Sequence, residues 1–500
     1  MRNVLTWLLL LLIAPSAVLA KEVRITVLQL NDVYTIAPVD KGKRAGFDRI
    51  ETLRQRLLAQ NPNTVFVLGG DTLSPSVASN MFRGEQMIQG WNAVHLDLAV
   101  LGNHEFDFGD GVLLERMKQS RFVWLGSNVV DRRTGDLFGD MPPCVIREIG
   151  GVRVGFFGLL TPDTLHTSKT GPNVDIRDPI PVAREAVKRL RQHGAQVVVA
   201  LTHLDVSQDR ELAREVEGID LICGGHEHTL IQTLAGRTPI FKWGSDARLF
   251  GKIDLMVEDG RVRWLAWEAI PLDESIPGDP QVAALIQQYE ERLNQAIGQP
   301  IGRTDVELNA LQLDNRQRET NLGDFIADAY RTRLQADVAF LNGGSVRSNQ
   351  VFPPGTLTRR DILTFLPFEN PVVKVEVPGR TLRQAMEHGL SQVGVLPEFG
   401  AFPQISGMTL KYDARLAPGA RIVEFTVGGR PLEDERLYTV ASNSFVIAGG
   451  DGYAMFQGAR FLVSPQEGPV EAQCVIEAVQ AAGGSIAPRV DGRLVRLDAP

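Results

Sequence analysis

Gly102-Asn103-His104-Glu105-Phe106-Asp107 follows a short apolar run, residues 98–101, that reads as a buried strand. Gly102 is expected to let the backbone turn sharply, so that Asn103 and His104 emerge at the carboxyl end of the strand. That edge is where open α/β sheets gather ligands. A polar turn serving only its own backbone uses the same residue types, so the surrounding chain has to decide between the two.

Outward from this hexapeptide, residues 23 to about 272 alternate apolar strands with helical segments. Strands are expected at 23–30, 64–68, 98–101, 152–159, 197–201 and 221–223, with helices between them at 47–60 and 180–192, among others. Such alternation predicts a layered α/β domain built from βαβ units. Nearly every strand runs into a polar pair: Asn31-Asp32, Gly70-Asp71, Asn103-His104, Thr202-His203 and Gly225-His226. A recurring ligand-type residue at the ends of successive strands favours a site over a set of unrelated turns.

Pro277 and Pro280 interrupt the pattern, and 281–296 then reads as one amphipathic helix joining two domains. From about 301 the texture changes to an α+β arrangement with Gly-rich turns at 342–344 and 449–452. The expected division is a signal peptide at 1–20, an α/β domain at 21–275, a linker helix at 276–300 and a second domain at 301–500. The first twenty residues carry Arg2, an apolar stretch and Val18-Leu19-Ala20, the pattern of an exported chain cleaved after Ala20. No later stretch is apolar and long enough to span a membrane, so a periplasmic or secreted location is expected.

The 52 Lys and Arg residues face 60 Asp and Glu, for a net charge of −8. That balance disfavours nucleic-acid polymers as partners, although a local cationic pocket can still take a small phosphorylated molecule. Three cysteines, Cys144, Cys223 and Cys474, are too few and too scattered for a disulfide framework.

Asp32, Asp71, Asn103, His203, His226 and His228 make a mixed oxygen and nitrogen set without thiolate. Such ligands suit two divalent ions (zinc, manganese, iron or cobalt) with one carboxylate shared between them. Asp71 is the natural bridge, because the two glycines before it permit close approach. Cations about 3.5–4 Å apart activate a hydroxide and stabilise in-line displacement at phosphorus. The remaining histidines, His95, His166, His193 and His388, are read as hydrogen-bonded core residues.

These motifs, with Gly224-Gly225-His226-Glu227-His228, resemble the secreted bacterial 5'-nucleotidases, whose N-terminal domain is a calcineurin-like metallophosphatase. The resemblance implies a four-layer α/β metallophosphatase sandwich followed by a smaller α+β substrate-binding domain. It implies one metal held by Asp32, Asp71 and His228, and a second held by Asp71, Asn103, His203 and His226. His104 and Asp107 match the family's catalytic dyad: an imidazolium stabilises developing charge or protonates a leaving oxygen, and a carboxylate three residues on orients it. One departure stands out. The family has Asp-x-His at the first motif, where this chain has Asp32-Val33-Tyr34. Three readings follow, namely Tyr34 ligating as phenolate, a water in the histidine's place, or a weakened first metal; the water is preferred.

The resemblance continues in the second domain. Arg316 matches a substrate arginine, Asn342-Gly343-Gly344-Ser345-Val346-Arg347 matches a phosphate-binding turn, and Phe368, Asn370, Phe445 and Asp451 fall in two aromatic segments. It implies that the two rings sandwich a nucleobase, Asp451 binds the ribose hydroxyls and the arginines hold phosphate. Aromatic faces stack on any base, and guanidinium forks fit phosphate oxygens. The implied activity is metal-dependent release of nucleoside and phosphate from 5'-nucleotides, with cyclic or pyrophosphate-linked nucleotides as further substrates. The alternatives are a related thiosulfate-pathway sulfonate hydrolase and a nucleotide-binding surface protein whose metal site has decayed at Tyr34.

Overall fold

A computed structural model describes residues 22–40 and 42–498, so the expected signal peptide at 1–20 lies outside the described residues. Strand Val23–Leu30 pairs in parallel with Thr64–Leu68 on one side and antiparallel with Leu249–Glu258 on the other. It thereby sits inside a six-stranded sheet that continues through Leu98–Val100 to Val123–Leu125. A second six-stranded sheet has Val197–His203 at its centre, between Leu221–Gly224 and Val152–Leu160.

The two sheets pack face to face. Ile25, Val27, Val65 and Val67 from the first meet Val154, Phe156, Val197 and Val199 from the second in one buried cluster. Strands buried on both faces explain the unbroken apolar runs in the sequence. Helices Phe47–Gln60, Glu85–Ala93 and Pro280–Ile297 cover the outer face of the first sheet through Phe47, Trp91, Ile286 and Tyr289. Pro179–Gln192 and Val206–Glu215 cover the second through Ala183, Leu190 and Leu212. The result is the expected four-layer sandwich.

The connecting helix Pro280–Ile297 begins at Asp279, whose carboxylate accepts from the N–H groups of Gln281 and Val282. Its apolar stripe belongs to the first domain's core, while Glu290 reaches Arg360 of the second at 2.6 Å. Beyond it, a five-stranded sheet runs Pro403–Ser406, Val338–Asn342, Leu437–Asn443, Val372–Pro378, Arg460–Val463. Asn321–Leu334 and Glu471–Ala481 pack on one face and Gly379–Leu390 on the other. Val338–Asn342 and Leu437–Asn443 are parallel neighbours, so their carboxyl ends bring the 342–347 and 444–453 turns side by side.

Cys144, Cys223 and Cys474 are all free. Among the described residues no helix is long and apolar enough to cross a membrane.

Candidate active site

Strand ends from both sheets of the sandwich converge, as their sequence spacing suggests. Ligand-type atoms of Asp32, Asp71 and His203 all lie within 4.8 Å of one another, and all three residues are buried. His203 Nε2 is 3.1 Å from Asp71 Oδ2, and His228 Nε2 is 3.4 Å from Asp32 Oδ1. His226 Nδ1 lies 3.3 Å from His203 Nε2, and the His226 N–H donates to Asp32 Oδ2 at 2.9 Å. Asn103 Oδ1 is buried without a hydrogen-bond partner. A divalent cation fits this set: hard and borderline donors converge, and an orphaned carbonyl oxygen is left to be satisfied.

The backbone is held away from its easy conformations to achieve this. Asp32, Asp71 and His226 take φ of 54°, 58° and 81°. Left-handed non-glycine residues cost about 1–3 kcal/mol each and persist where the surroundings enforce them. Gly102, by contrast, is extended at φ −105° and ψ −179°. The expected sharp turn at that glycine is therefore corrected. Glycine is required there because a Cβ would stand 2.1 Å from Asp71 Oδ1. At Gly70 both reasons apply: φ is +85°, and a Cβ would meet His203 Nδ1 at 2.6 Å.

Glu105 had no role in the sequence, and the structure gives it one. It is fully buried, with Oε2 accepting from the N–H groups of Asp71 and Gly102, and Oε1 from those of Thr72 and Leu73. The Gly102–Phe106 turn thus grips the Asp71 loop through its own carboxylate. Burial, and then the Asp71 charge, push this carboxyl up to about 7 in spite of the amide donors.

His104 donates its N–H to Asp71 Oδ1 at 2.8 Å, and its Nδ1 lies 2.7 Å from Asp107 Oδ2. Burial opposes an imidazolium here, but Asp107 and Asp71 outweigh it and raise the group above its ordinary value. For Asp71 burial is likewise outweighed, by His203 and His104, and its carboxyl sits well below the usual range.

Tyr34 points into the cluster. Its hydroxyl is 2.9 Å from His228 Nε2, 3.2 Å from Asp32 Oδ1 and 3.4 Å from Asp71 Oδ2. Burial, with the charges of Asp32 and Asp71, pushes the phenol well above its ordinary value.

Lys242 was also missed. Its ammonium is buried in the first domain, 2.6 Å from Leu204 O and 2.9 Å from Asp209, and it bonds Glu227. It therefore anchors the residue between His226 and His228 to the loop after His203. A lysine within an apolar strand, Thr238–Trp243, gave no sign of this in the sequence.

The second domain closes over these groups. Arg347 Nη2 is 3.2 Å from His104 Nε2, and the Arg347 guanidinium lies 5.4 Å from the Phe368 ring centre. Phe368 itself stacks on His104 at 6.2 Å between ring centres. Arg316 is 9% exposed, its Nε is buried without a partner, and its Nη1 donates to Glu398 O at 2.8 Å. Burial, and then the Arg347 charge, lower Arg316 to about 10.

Asp451 and Phe445 belong to the other turn. Asp451, at φ 50°, accepts from Asn342 Nδ2 at 2.7 Å, and Phe445 packs over Gly450. Asn370 is half-buried, with its carbonyl accepting from the Glu471 N–H. His388 is not a bystander: its Nε2 lies 2.7 Å from Asp451 O and braces that turn. His95 and His193 are exposed rather than in the core, and the side chain of His166 lies outside the described residues. Both sit just past helix ends, where polar residues stay in water.

A double sandwich with this strand-end cluster defines a metallophosphoesterase, here carrying a second domain. Residues 25–230 match the calcineurin-like phosphoesterase family, and residues 300–458 match the 5'-nucleotidase C-terminal domain. A snake venom 5'-nucleotidase from Naja atra is 30% identical over 94% of this chain and 98% of its own length. A 5'-nucleotidase precursor from Thermus thermophilus superposes with a TM-score of 0.86 at 28% identity, over 96% of this chain and all of that one. A Thermus thermophilus sulfate thiohydrolase shares the fold, with a TM-score of 0.79 at 19% identity over 95% of this chain and 97% of that one. The chain belongs to the 5'-nucleotidase family and is a phosphoric monoester hydrolase.

Proposed function

We propose that the protein hydrolyses 5'-nucleotides to nucleoside and phosphate in the cleft between its domains. The observation that carries this reading is a pair of buried arginines, Arg316 and Arg347, the second with Nη2 3.2 Å from His104 Nε2. Among the described residues neither guanidinium is ion-paired to a carboxylate, although both are buried. Two neighbouring desolvated cations need an anion, and a phosphate group supplies it with the fork geometry that arginine prefers.

In this reading Asp32, Asp71 and His228 would hold one divalent cation, and Asp71, Asn103, His203 and His226 the other, as zinc, manganese, iron or cobalt. When bound, such a pair supplies an activated water and neutralises charge at phosphorus. His104 turns Nδ1 to Asp107 and Nε2 to Arg347, the side on which this reading puts the phosphate. As imidazolium it stabilises charge on a phosphate oxygen or protonates the leaving ribose oxygen. Arg316 and Arg347 orient the phosphate, Phe368 and Phe445 offer faces to the base, and Asn370 and Asp451 bind the rest of the nucleoside. Cyclic and pyrophosphate-linked nucleotides are expected as further substrates. The 1–20 pattern supports export to the periplasm or beyond.

The test is phosphate release from AMP, abolished by chelator and restored by manganese. His104→Ala should lower kcat by about 10²–10⁴. Sulfonate hydrolysis without AMP cleavage would shift the assignment to the thiohydrolase activity. Nucleotide binding without turnover under any of the four metals would leave a binding protein.

A further inference from the structure

His228 lies four residues past the end of strand Leu221–Gly224, in a loop that its own domain holds only in part. The preceding residues are fixed locally. The His226 N–H bonds Asp32, and Glu227 accepts from the Val206 N–H as well as from Lys242. At His228 the partners change domain. Its backbone N–H donates to Glu398 Oε2 at 2.9 Å, and its ring Nδ1 faces Gln312 Oε1 at 3.3 Å.

The second contact suits one tautomer. With Gln312 Oε1 accepting, Nδ1 would carry the proton and the Nε2 lone pair would face inward, toward the Tyr34 hydroxyl and Asp32. A ligating histidine is set by the acceptor its other nitrogen finds, and here that acceptor comes from the other domain. Glu398 does a second thing: its carbonyl accepts from Arg316 Nη1 at 2.8 Å. One residue therefore ties an arginine of the anion pocket to a histidine of the opposite domain.

We propose that Gln312 and Glu398 are positioning residues through which the second domain completes the metal centre, holding His228 in its ligating tautomer and place. The inference rests on the reading of His228 as a metal ligand. The metal corner built on Asp32 and His228 then takes its full affinity only when the cleft is closed. The Asp71–His203 corner does not depend on closure, because His203 Nδ1 is 2.8 Å from Gly69 O within its own domain.

The experiment is a manganese titration of the full chain by calorimetry, with AMP hydrolysis followed in parallel. The Gln312→Ala, Glu398→Ala double variant should lose at least about 10-fold in affinity at one of two sites and keep the other, since such supporting partners typically contribute 10–100-fold. Its rate should recover as manganese is raised. Glu398→Gln, which keeps an oxygen for the His228 N–H, should lie much closer to the parent chain and separates this role from a fold defect. If the parent chain binds two manganese ions and cleaves AMP while the double variant titrates identically, the inference fails and the proposed function stands. If the parent chain neither binds manganese nor cleaves AMP, both fail.

Discussion

His203 and His228 approach the same pair of carboxylates from different directions, and they are secured by different means. His203 is wholly buried at the end of a central strand, with the Gly69 carbonyl behind it and Asp71 in front. His228 stands on a loop, with Gln312 and Glu398 of the other domain behind it. One histidine is held from behind by its own domain, and the other takes its supports from the second domain. Chemistry at the first corner is a property of a sheet edge, whereas at the second it is a property of an interface.

Removing the grip on the first corner should have the largest effect. Glu105→Ala leaves four buried N–H groups without their acceptor, and each costs about 1–3 kcal/mol. The variant is expected to lose several kcal/mol in denaturant unfolding and to bind manganese at neither site. An unchanged melting curve with intact manganese stoichiometry would show that the Asp71 loop stands without it.

Arg347→Ala probes the other side. It should cut kcat/KM for AMP about 100-fold while leaving the manganese titration of the Asp71–His203 corner as it was. A loss of metal at that corner in this variant would contradict the division between the two corners.

Tyr34→His addresses the Asp32–His228 corner directly. An imidazole in place of a phenol that burial keeps protonated should tighten manganese there by about tenfold. Identical affinity and stoichiometry would mean that position 34 faces no cation.

The smallest effect on turnover belongs to a carboxyl group outside the proposed site. Burial, and then Glu319, raise Asp324 from 3.8 to about 9, against the pull of Arg493. Between roughly pH 4 and 9 the folded chain therefore keeps a proton that the unfolded chain has released, so stability falls as pH rises through that window. Asp324→Asn should flatten this slope and raise Tm at pH 9 by a few degrees relative to the parent chain. Parallel Tm profiles from pH 5 to pH 9 would show that Asp324 does not titrate in this way.

Much of the first domain was legible because its strands are buried on both faces and stop at polar pairs. The strand expected at 197–201 runs Val197–His203, and the helix expected at 47–60 occupies Phe47–Gln60. The linker helix, expected over 281–296, is Pro280–Ile297. What could not be read shares one property, a partner that carries no pattern. Glu105 binds backbone amides, which every residue possesses. Gly102 was read as a turn because a glycine required by a neighbour's oxygen looks the same in sequence as one required by its own φ. Gln312 and Glu398 acquire meaning only from how two domains meet. Phe368 was expected to lie against substrate; the stacking on His104 that the structure gives it comes from the same meeting of domains.

The left-handed backbone at Asp32 and Asp71 also narrows what can replace them. Asp and Asn tolerate that conformation better than other side chains, and β-branched or bulky residues resist it. Glutamate would keep the charge but meet the wrong backbone, and asparagine would suit the backbone but lose the charge. If both hold the proposed cations, each position is filtered twice, by the ion and by the peptide geometry, and the overlap of the two filters leaves aspartate almost alone. A saturation library at 32 and 71 should return a narrower spectrum than one at 228, where the main chain imposes no such second filter.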